Sequence, residues 1–420
     1  MTDGRAATLM ARADALALLT EEPGRITRPY GTPSLVAGMR EARGWLEAAG
    51  MAVREDAIGN LVGRYEAAGP APGAAAGPAR TLLLGSHLDP VRDAGRWDGP
   101  LGVLVAVAAV ERLHRAGRRL PFAVEVVVWV DEEGLRYHHS YIGSRVVCGL
   151  FDPAELGEAD AAGVPLRDAV LAQGGDPDGL LAARWQRDDL LGYLEVHIEQ
   201  GPVLEALGLP VGVVTSIAGQ ARGTVEFTGR AGHAGTTPPH LRQDALCAAA
   251  ELVLALEEAC NAGDGVVATV GKAAIGPGAG NIIPGTATVS FDVRHPDDAT
   301  KLAAVDALRA RAEAAGARRR VAVQWETIQE HAACAFDPAL VDALAAAVER
   351  STGAPAHRMP SGAGHDAVSV AHLTGVAMLF VRCAGGVSHH PDESITQDDA
   401  AAAIAAVDAF LDVLAEAHQA

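Results

Sequence analysis

The feature that most restricts the fold is a pair of short apolar runs, each ending abruptly on acid and imidazole groups. Residues 81–86 (TLLLGS) and 122–130 (FAVEVVVWV) are strongly aliphatic and almost free of charge. Half-exposed strands alternate wet and dry positions. Strands covered on both faces of a parallel sheet read as continuous apolar runs like these. Between them, residues 101–117 have helical spacing with charged residues at the end, so the order is β-α-β and an α/β layer follows. Such layers bind ligands beyond the carboxyl ends of their strands. This chain places its polar groups there: His87, Asp89, Asp93 and Asp98 follow the first run in GSHLDPVRDAGRWDGP, and Asp131-Glu132-Glu133-Gly134 closes the second.

Two more segments share the pattern. Glu195-Val-His197-Ile-Glu199-Gln200-Gly201 ends an apolar strand, and Gly385-Gly-Val-Ser-His389-His390-Pro391 follows the strand at 376–382 (VAMLFVR). One such segment is usually a solvated turn; four of them at strand ends in one layer point to a metal site. Imidazole and carboxylate are good ligands for Zn²⁺ or Mn²⁺. A ligating histidine also needs a carboxylate or carbonyl on its other ring nitrogen, and Asp89, two residues after His87, can supply it. Adjacent carboxylates repel unless a cation or solvent compensates. Successive residues of a strand point to opposite sides, so Glu132 and Glu133 can serve one site only if the chain turns there, which Gly134 permits.

At 420 residues the chain exceeds one ordinary domain. Its pattern changes after about residue 212. Strands are expected at 223–229, 266–275, 285–294 and 320–328, with helices at 240–260 and 298–315. That β-α-β-β-α-β order is the ferredoxin-like split arrangement. The expected architecture is an α/β domain of residues 1–212 and 331–420, with an inserted ferredoxin-like α+β domain at 213–330. The Ala/Gly/Pro-rich stretch 66–80 reads as a surface loop. A net charge of −19 argues against nucleic-acid or anionic-membrane partners. The N-terminus does not resemble a signal peptide, and no apolar run reaches the roughly 20 residues of a membrane span. Cys148, Cys247, Cys260, Cys334 and Cys383 are scattered without CxxC spacing. They are expected as small buried hydrophobes in a reduced, cytoplasmic protein.

The motifs GSHLDP…RWDGPLG, DEEG, EVHIEQGPVLE, GHAGTTP, SGAGHDA and GGVSHHP together resemble the M20-type metallopeptidase clan. Within it they look like the amidase branch of allantoate amidohydrolases, N-carbamoyl-L-amino-acid hydrolases and β-ureidopropionases. The resemblance runs from about residue 25 to the C-terminus. It implies a binuclear site in which His87 and His197 share one ion, Glu133 and His389 share the other, and Asp98 bridges them. Glu132 would be the general base, and Asp89 would orient His87. The inserted domain matches the family's lid, which carries the dimer interface, with hinges expected near 212–216 and 329–333. His233 would reach the neighbouring subunit's site as an oxyanion donor, while Asn281 and Arg294 would hold the substrate's carboxylate. Gln200 and His365 are further substrate contacts. His138, His139, His390 and Asp93 fall to solvated positions. One departure stands out: the family's HxDT is here HLDP, so Pro90 replaces a threonine hydroxyl.

The implied activity is ammonia release from a ureido group, with allantoate first among substrates and N-carbamoyl-L-amino acids, including N-carbamoyl-β-alanine, second. An aminopeptidase or aminoacylase of the same clan is third. A different class of reading, a non-catalytic relative binding a ureido metabolite, predicts loss of Glu132 or of a metal ligand; all six positions are filled. Oxygen and imidazole ligands without thiolate suit Zn²⁺ or Mn²⁺, and also Co²⁺ or Ni²⁺.

Overall fold

A computed structural model describes residues 4–69 and 79–418. Residues 70–78, the larger part of the stretch expected as a surface loop, lie outside the described residues. The chain divides into two compact units, one made of the residues up to Thr215 together with those from Phe336 onward, the other of Ser216–Ala335.

The first segment of the larger unit supplies β1 (Ala52–Glu55), β2 (Leu61–Tyr65), β3 (Thr81–His87), β4 (Ala123–Trp129) and β5 (Leu190–Ile198), then enters β6 (Val211–Ile217). Residues 212–216, expected as a hinge, are therefore extended strand.

The smaller unit begins with β7 (Gly219–Thr228), followed by β8 (Gly232–His233) and the helix Ala245–Asn261. Next come β9 (Val267–Thr269), β10 (Ala273–Gly276), β11 (Ile282–Ile283), β12 (Thr286–His295), the helix Asp298–Arg319, β13 (Ala322–His331) and β14 (Cys334–Ala335). Its main sheet has the order β10-β12-β7-β13, with β9 also on β12. Strand β7 alternates buried and open residues along its length, so one face is dry. That face places Val225 and Phe227, with Phe291 and Val293 from β12, in one core with Leu252, Leu256 and Leu308 of the two helices. Each fully buried aliphatic side chain of this kind contributes about 1.5–3 kcal/mol. β8 pairs with β11, and β14 pairs with Ser216 and Ile217.

Three boundaries differ from expectation for local reasons. The strand expected at 266–275 is two strands, because the N–H groups of Gly271 and Lys272 donate to the Ser290 hydroxyl rather than to a backbone carbonyl. The helix expected from residue 240 begins at Ala245, where the Asp244 side chain caps the Cys247 N–H at 3.1 Å. The next helix passes Gly316 and stops only where Arg320 turns left-handed at φ 56°. Among the cysteines, Cys148 and Cys383 are buried, but Cys247 is exposed and Cys260 and Cys334 are half-buried. Burial was expected for all five; the helix carrying Cys247 turns that position to solvent.

The chain completes the larger unit with β15 (Arg358–Ser361), which pairs with β6, then β16 (Val376–Val381) and the long helix Gln397–Ala417. The sheet order is β1-β2-β4-β3-β5-β16-β6. Strands β4, β3, β5 and β16 run parallel, flanked by antiparallel β2 and β6. Every residue of β3, β4 and β16 is buried, as their apolar composition requires. The helix Pro100–Arg115 is buried at twelve positions. Among the described residues, no helix is long and apolar enough to cross a membrane.

Candidate metal centre

The four central strands deliver their carboxyl ends to one place. His87 is the last residue of β3, His197 the next to last of β5, the segment Val130–Gly134 leaves β4, and the loop 383–395 leaves β16. Register reinforces the convergence: His87 lies beside Trp129, and His197 beside Phe380. After Trp129 the chain turns, with Asp131 at φ 52° and Gly134 at φ 63°. This is the turn that lets Glu132 and Glu133 serve one site.

Asp98 stands at the centre. Its Oδ1 is 2.9 Å from His197 Nε2 and 3.9 Å from His87 Nε2. Its Oδ2 is 3.0 Å from His389 Nε2, which lies 3.5 Å from Glu133 Oε1. Two ligand groups therefore overlap on one carboxylate: His87, Asp98 and His197, and Asp98, Glu133 and His389. Glu132 Oε2 is 4.0 Å from His87 Nε2. The His87 ring packs against Gly99, where a Cβ would come within 2.5 Å of it. Gly99 also has φ 81°, a conformation that favours glycine, just before the helix begins at Pro100.

The imidazoles have their orientation fixed from behind. His87 Nδ1 donates to the Asp89 backbone carbonyl at 2.8 Å, and His197 Nδ1 to that of Ile198 at 2.9 Å. Both rings therefore turn Nε2 inward. His87 Nε2 is buried and has no hydrogen-bond partner among the described residues. An inward nitrogen lone pair without a donor, facing a ring of carboxylates, is what a cation requires. The donor set fits two divalent ions. Of the two groups that Asp89 could offer His87, a carbonyl or a carboxylate, the structure uses the carbonyl. The Asp89 backbone, not its carboxylate, holds the ring, while the carboxylate's Oδ1 stands 3.8 Å from Nδ1 and its Oδ2 accepts the Glu133 N–H at 3.1 Å.

The electrostatics show an excess of buried negative charge. Burial, with Glu133 next to it, pushes the Glu132 carboxyl well above the usual range. Burial and the Asp98 charge push Glu133 up to about 8. Burial opposes the charge on Asp98, yet hydrogen bonds from His197 and His389 hold its carboxyl well below the usual range. Burial likewise opposes protonation of His197, but the Asp98 hydrogen bond outweighs it and raises the imidazole to about 9. The same partner raises His389 to about 9. The raised imidazoles share one first cause that favours charge, the Asp98 carboxylate, while burial is the first cause of the raised carboxyls.

The remaining expected residues separate. Gln200, at φ 56°, donates from Nε2 to Asp98 Oδ2 at 3.1 Å and to Ser388 Oγ at 3.2 Å. His365 is fully buried beneath the site, its ring 4.5 Å from that of His197 and its Nε2 2.9 Å from Ser361 Oγ. Burial, with His197 alongside, holds His365 well below the usual imidazole range, so it is neutral. His233, Asn281 and Arg294 belong to the smaller unit. There the Ala234 N–H donates to the Asn281 carbonyl at 2.9 Å, which brings the loops of His233 and Asn281 together. Arg294 pairs with Asp292, which also accepts from Gln220 and Arg222. His139 pairs with Glu158 at 2.7 Å, His390 with Asp392 at 3.5 Å, and Asp93 with Arg25 at 3.6 Å, and none of the three belongs to either candidate ligand group.

Several neighbours of the cluster were not singled out from the sequence: Ser388, whose hydroxyl is 3.1 Å from Asp98 Oδ2, Glu393, whose Oε1 accepts the Asp98 N–H, and Glu195 as a buried group behind His197. Glu195 lies wholly buried with Oε2 accepting the Ala367 N–H. Burial raises it to about 7, against the pull of His197. Its spacing of two from His197 on a strand puts both on one side of the sheet, a signal that was legible.

Comparison with known proteins agrees with this geometry. The profile of peptidase family M20/M25/M40 matches residues 83–413, a span that holds every residue of the cluster. The chain is 36% identical to allantoate deiminase of Arabidopsis thaliana over 433 residues, covering 96% of this chain and 81% of that one. It is 39% identical to an N-carbamoyl-L-amino acid amidohydrolase of Geobacillus stearothermophilus over 357 residues, 85% of each chain. An amidase of the hydantoinase/carbamoylase family from Burkholderia multivorans superposes with a TM-score of 0.89 at 32% identity, covering 97% of both chains. With the profile spanning the strand ends and the relatives spanning nearly the whole chain, this protein belongs to peptidase family M20/M25/M40.

Proposed function

We propose that this protein is a binuclear-metal amidohydrolase that cleaves a C–N bond of a ureido carboxylate and releases ammonia, with allantoate as its substrate. The observation that carries the reading is the shared carboxylate: Asp98 lies in both ligand groups, with the inward Nε2 atoms of His87, His197 and His389 around it. His87, Asp98 and His197 would hold one ion and Asp98, Glu133 and His389 the other. Zn²⁺ and Mn²⁺ suit these oxygen and imidazole donors, as do Co²⁺ and Ni²⁺. The chemistry that such cations would supply is polarisation of the ureido carbonyl and a lower pKa for the attacking water.

The chain's own groups do the rest. Glu132, a carboxylate that is not in either ligand group, accepts the proton from the attacking water. Water oxygen adds to the ureido carbonyl carbon, and the C–N bond to the terminal nitrogen breaks. Glu132 then returns its proton to that nitrogen, which leaves as ammonia. The carbamate formed on the other nitrogen loses carbon dioxide. Burial of Glu132 favours its protonated form, which suits the second half of the cycle. The smaller unit is assigned the part of lid and dimer surface. There His233 would stabilise the oxyanion in a partner's site, and Arg294 with Asn281 would take the substrate's carboxylate through a guanidinium fork. Gln200 and His365 complete the substrate side.

A second reading, an N-carbamoyl-L-amino-acid hydrolase, is favoured by the 39% identity to the Geobacillus stearothermophilus protein. It uses the same bond and the same base. Ammonia release from allantoate and from a series of N-carbamoyl-L-amino acids, with Mn²⁺ or Zn²⁺ bound, separates the two. Turnover of allantoate above the others supports the first reading, preference for a carbamoyl amino acid the second. Inactivity on all of them with metal bound contradicts both.

A further inference from the structure

We infer that Glu393 is a positioning residue for the metal centre: its buried carboxylate ties the loop carrying His389 to the loop carrying Asp98. This rests on the two-ion reading above. Glu393 is 4% exposed. Its Oε1 accepts two consecutive backbone N–H groups, from Trp97 at 2.7 Å and from Asp98 itself at 3.1 Å. Its Oε2 lies 3.2 Å from the hydroxyl of Ser388, the residue before His389. The Ser388 hydroxyl is also 3.1 Å from Asp98 Oδ2. One carboxylate therefore joins the backbone of the shared ligand to the segment bearing a ligand of the second ion, nearly three hundred positions away in the chain.

The neighbouring backbone is shaped around this contact. A Cβ at Gly95 would come within 2.3 Å of Glu393 Cβ and 2.4 Å of its Oε1. Only a residue without a side chain lets the Asp98 loop approach so closely. The Glu393 N–H in turn donates to the His390 carbonyl at 3.0 Å, which closes a turn over residues 390–393 just after His389. Ser388 has a single hydroxyl proton and can donate it either to Asp98 or to Glu393. With cations on the Asp98 carboxylate, that proton is free for Glu393, so loading the site strengthens the tie. Groups that hold ligands in place from outside the ligand set typically change metal affinity by 10–100-fold when removed.

The test is metal binding by the full-length protein, measured by chelator competition with Zn²⁺ and with Mn²⁺, alongside the Tm of the metal-free protein. Glu393→Ala is expected to raise the Kd of the weaker ion about 10–100-fold, with a smaller effect on the tighter one. Glu393→Gln keeps a carbonyl oxygen for the two N–H groups and is expected to restore binding to within a few fold of the parent. Gly95→Ala, which pushes the Glu393 side chain away without removing it, should reproduce the loss. If Glu393→Ala and Gly95→Ala bind both ions as tightly as the parent, the inference is overturned. It is equally overturned if the metal-free Tm falls while both Kd values stay put, since that is the mark of a purely structural role. A parent chain that binds no divalent ion would instead overturn the two-ion reading, so the two failures are distinguishable.

Discussion

Glu132 is the proposed general base, because it is a buried carboxylate beside the cluster without belonging to either candidate ligand group. Glu132→Gln should lower kcat by about 10²–10⁴-fold, the usual range for a lost general base, with metal content unchanged. Turnover at the parent rate in a metal-loaded Glu132→Gln sample would reject the role. At this scale the sequence was most informative about ligands and least about what holds them. His87, Asp98, Glu133, His197 and His389, which the fold brings together in two groups able to hold an ion, could be named as candidates because imidazole and carboxylate at strand ends are chemically conspicuous, and because the motifs resembled a known family. The group behind His87 was harder. A strand-to-loop turn decides whether a carbonyl or a carboxylate reaches the ring, and here the Asp89 carbonyl does. Glu393 was not singled out because its partners are backbone N–H groups 295 and 296 positions away, which no local spacing reveals. Arg294 shows the opposite limit: its chemistry was legible, but its pairing with Asp292 two residues earlier was not.

Among the elements, the parallel core strands were legible from their unbroken apolar runs, since only burial on both faces tolerates FAVEVVVWV. The split arrangement of the smaller unit was legible in its order of strands and helices. Its interruptions were not, because the Ser290 hydroxyl that replaces a ladder bond at Gly271 and Lys272 comes from another strand. The junction between β3, its loop and the helix Pro100–Arg115 makes a specific demand. Gly99, at φ 81°, leaves room for the His87 ring where a Cβ would lie 2.5 Å away. Gly99→Ala is expected to destabilise the protein by about 1–3 kcal/mol, the usual range for a strained backbone position. It should also weaken metal binding by displacing the ring. Chemical denaturation and chelator competition measure the two effects; an unchanged Kd in a folded variant would show that His87 is positioned independently of Gly99.

For the whole molecule, the proposal is that a partner's lid completes each site, and this has a direct consequence for mixed subunits. His233→Ala and Glu132→Gln chains should each be inactive alone. Refolded or exchanged together, they should regain turnover, because a hybrid dimer then contains one site with both an intact Glu132 and an intact partner His233. No recovery, with hybrid dimers demonstrated by mass, would place His233 in its own subunit's site or outside the reaction. The division into two units at 215/216 and 335/336 lies a few residues from the boundaries expected at 212/213 and 330/331. The expected hinge segments fall largely within β6 and β13, whose extended backbone is continuous where a change of residue pattern had marked a boundary.

Two ions sharing Asp98 are proposed to carry out ureido hydrolysis, and titrating metal back into stripped protein reads out their number and their effect together. Ammonia release from allantoate, followed as Zn²⁺ or Mn²⁺ is added to chelator-stripped protein, should rise from background and level off at two ions per chain. Full turnover in the stripped protein, or a plateau at one ion per chain, would contradict that proposal.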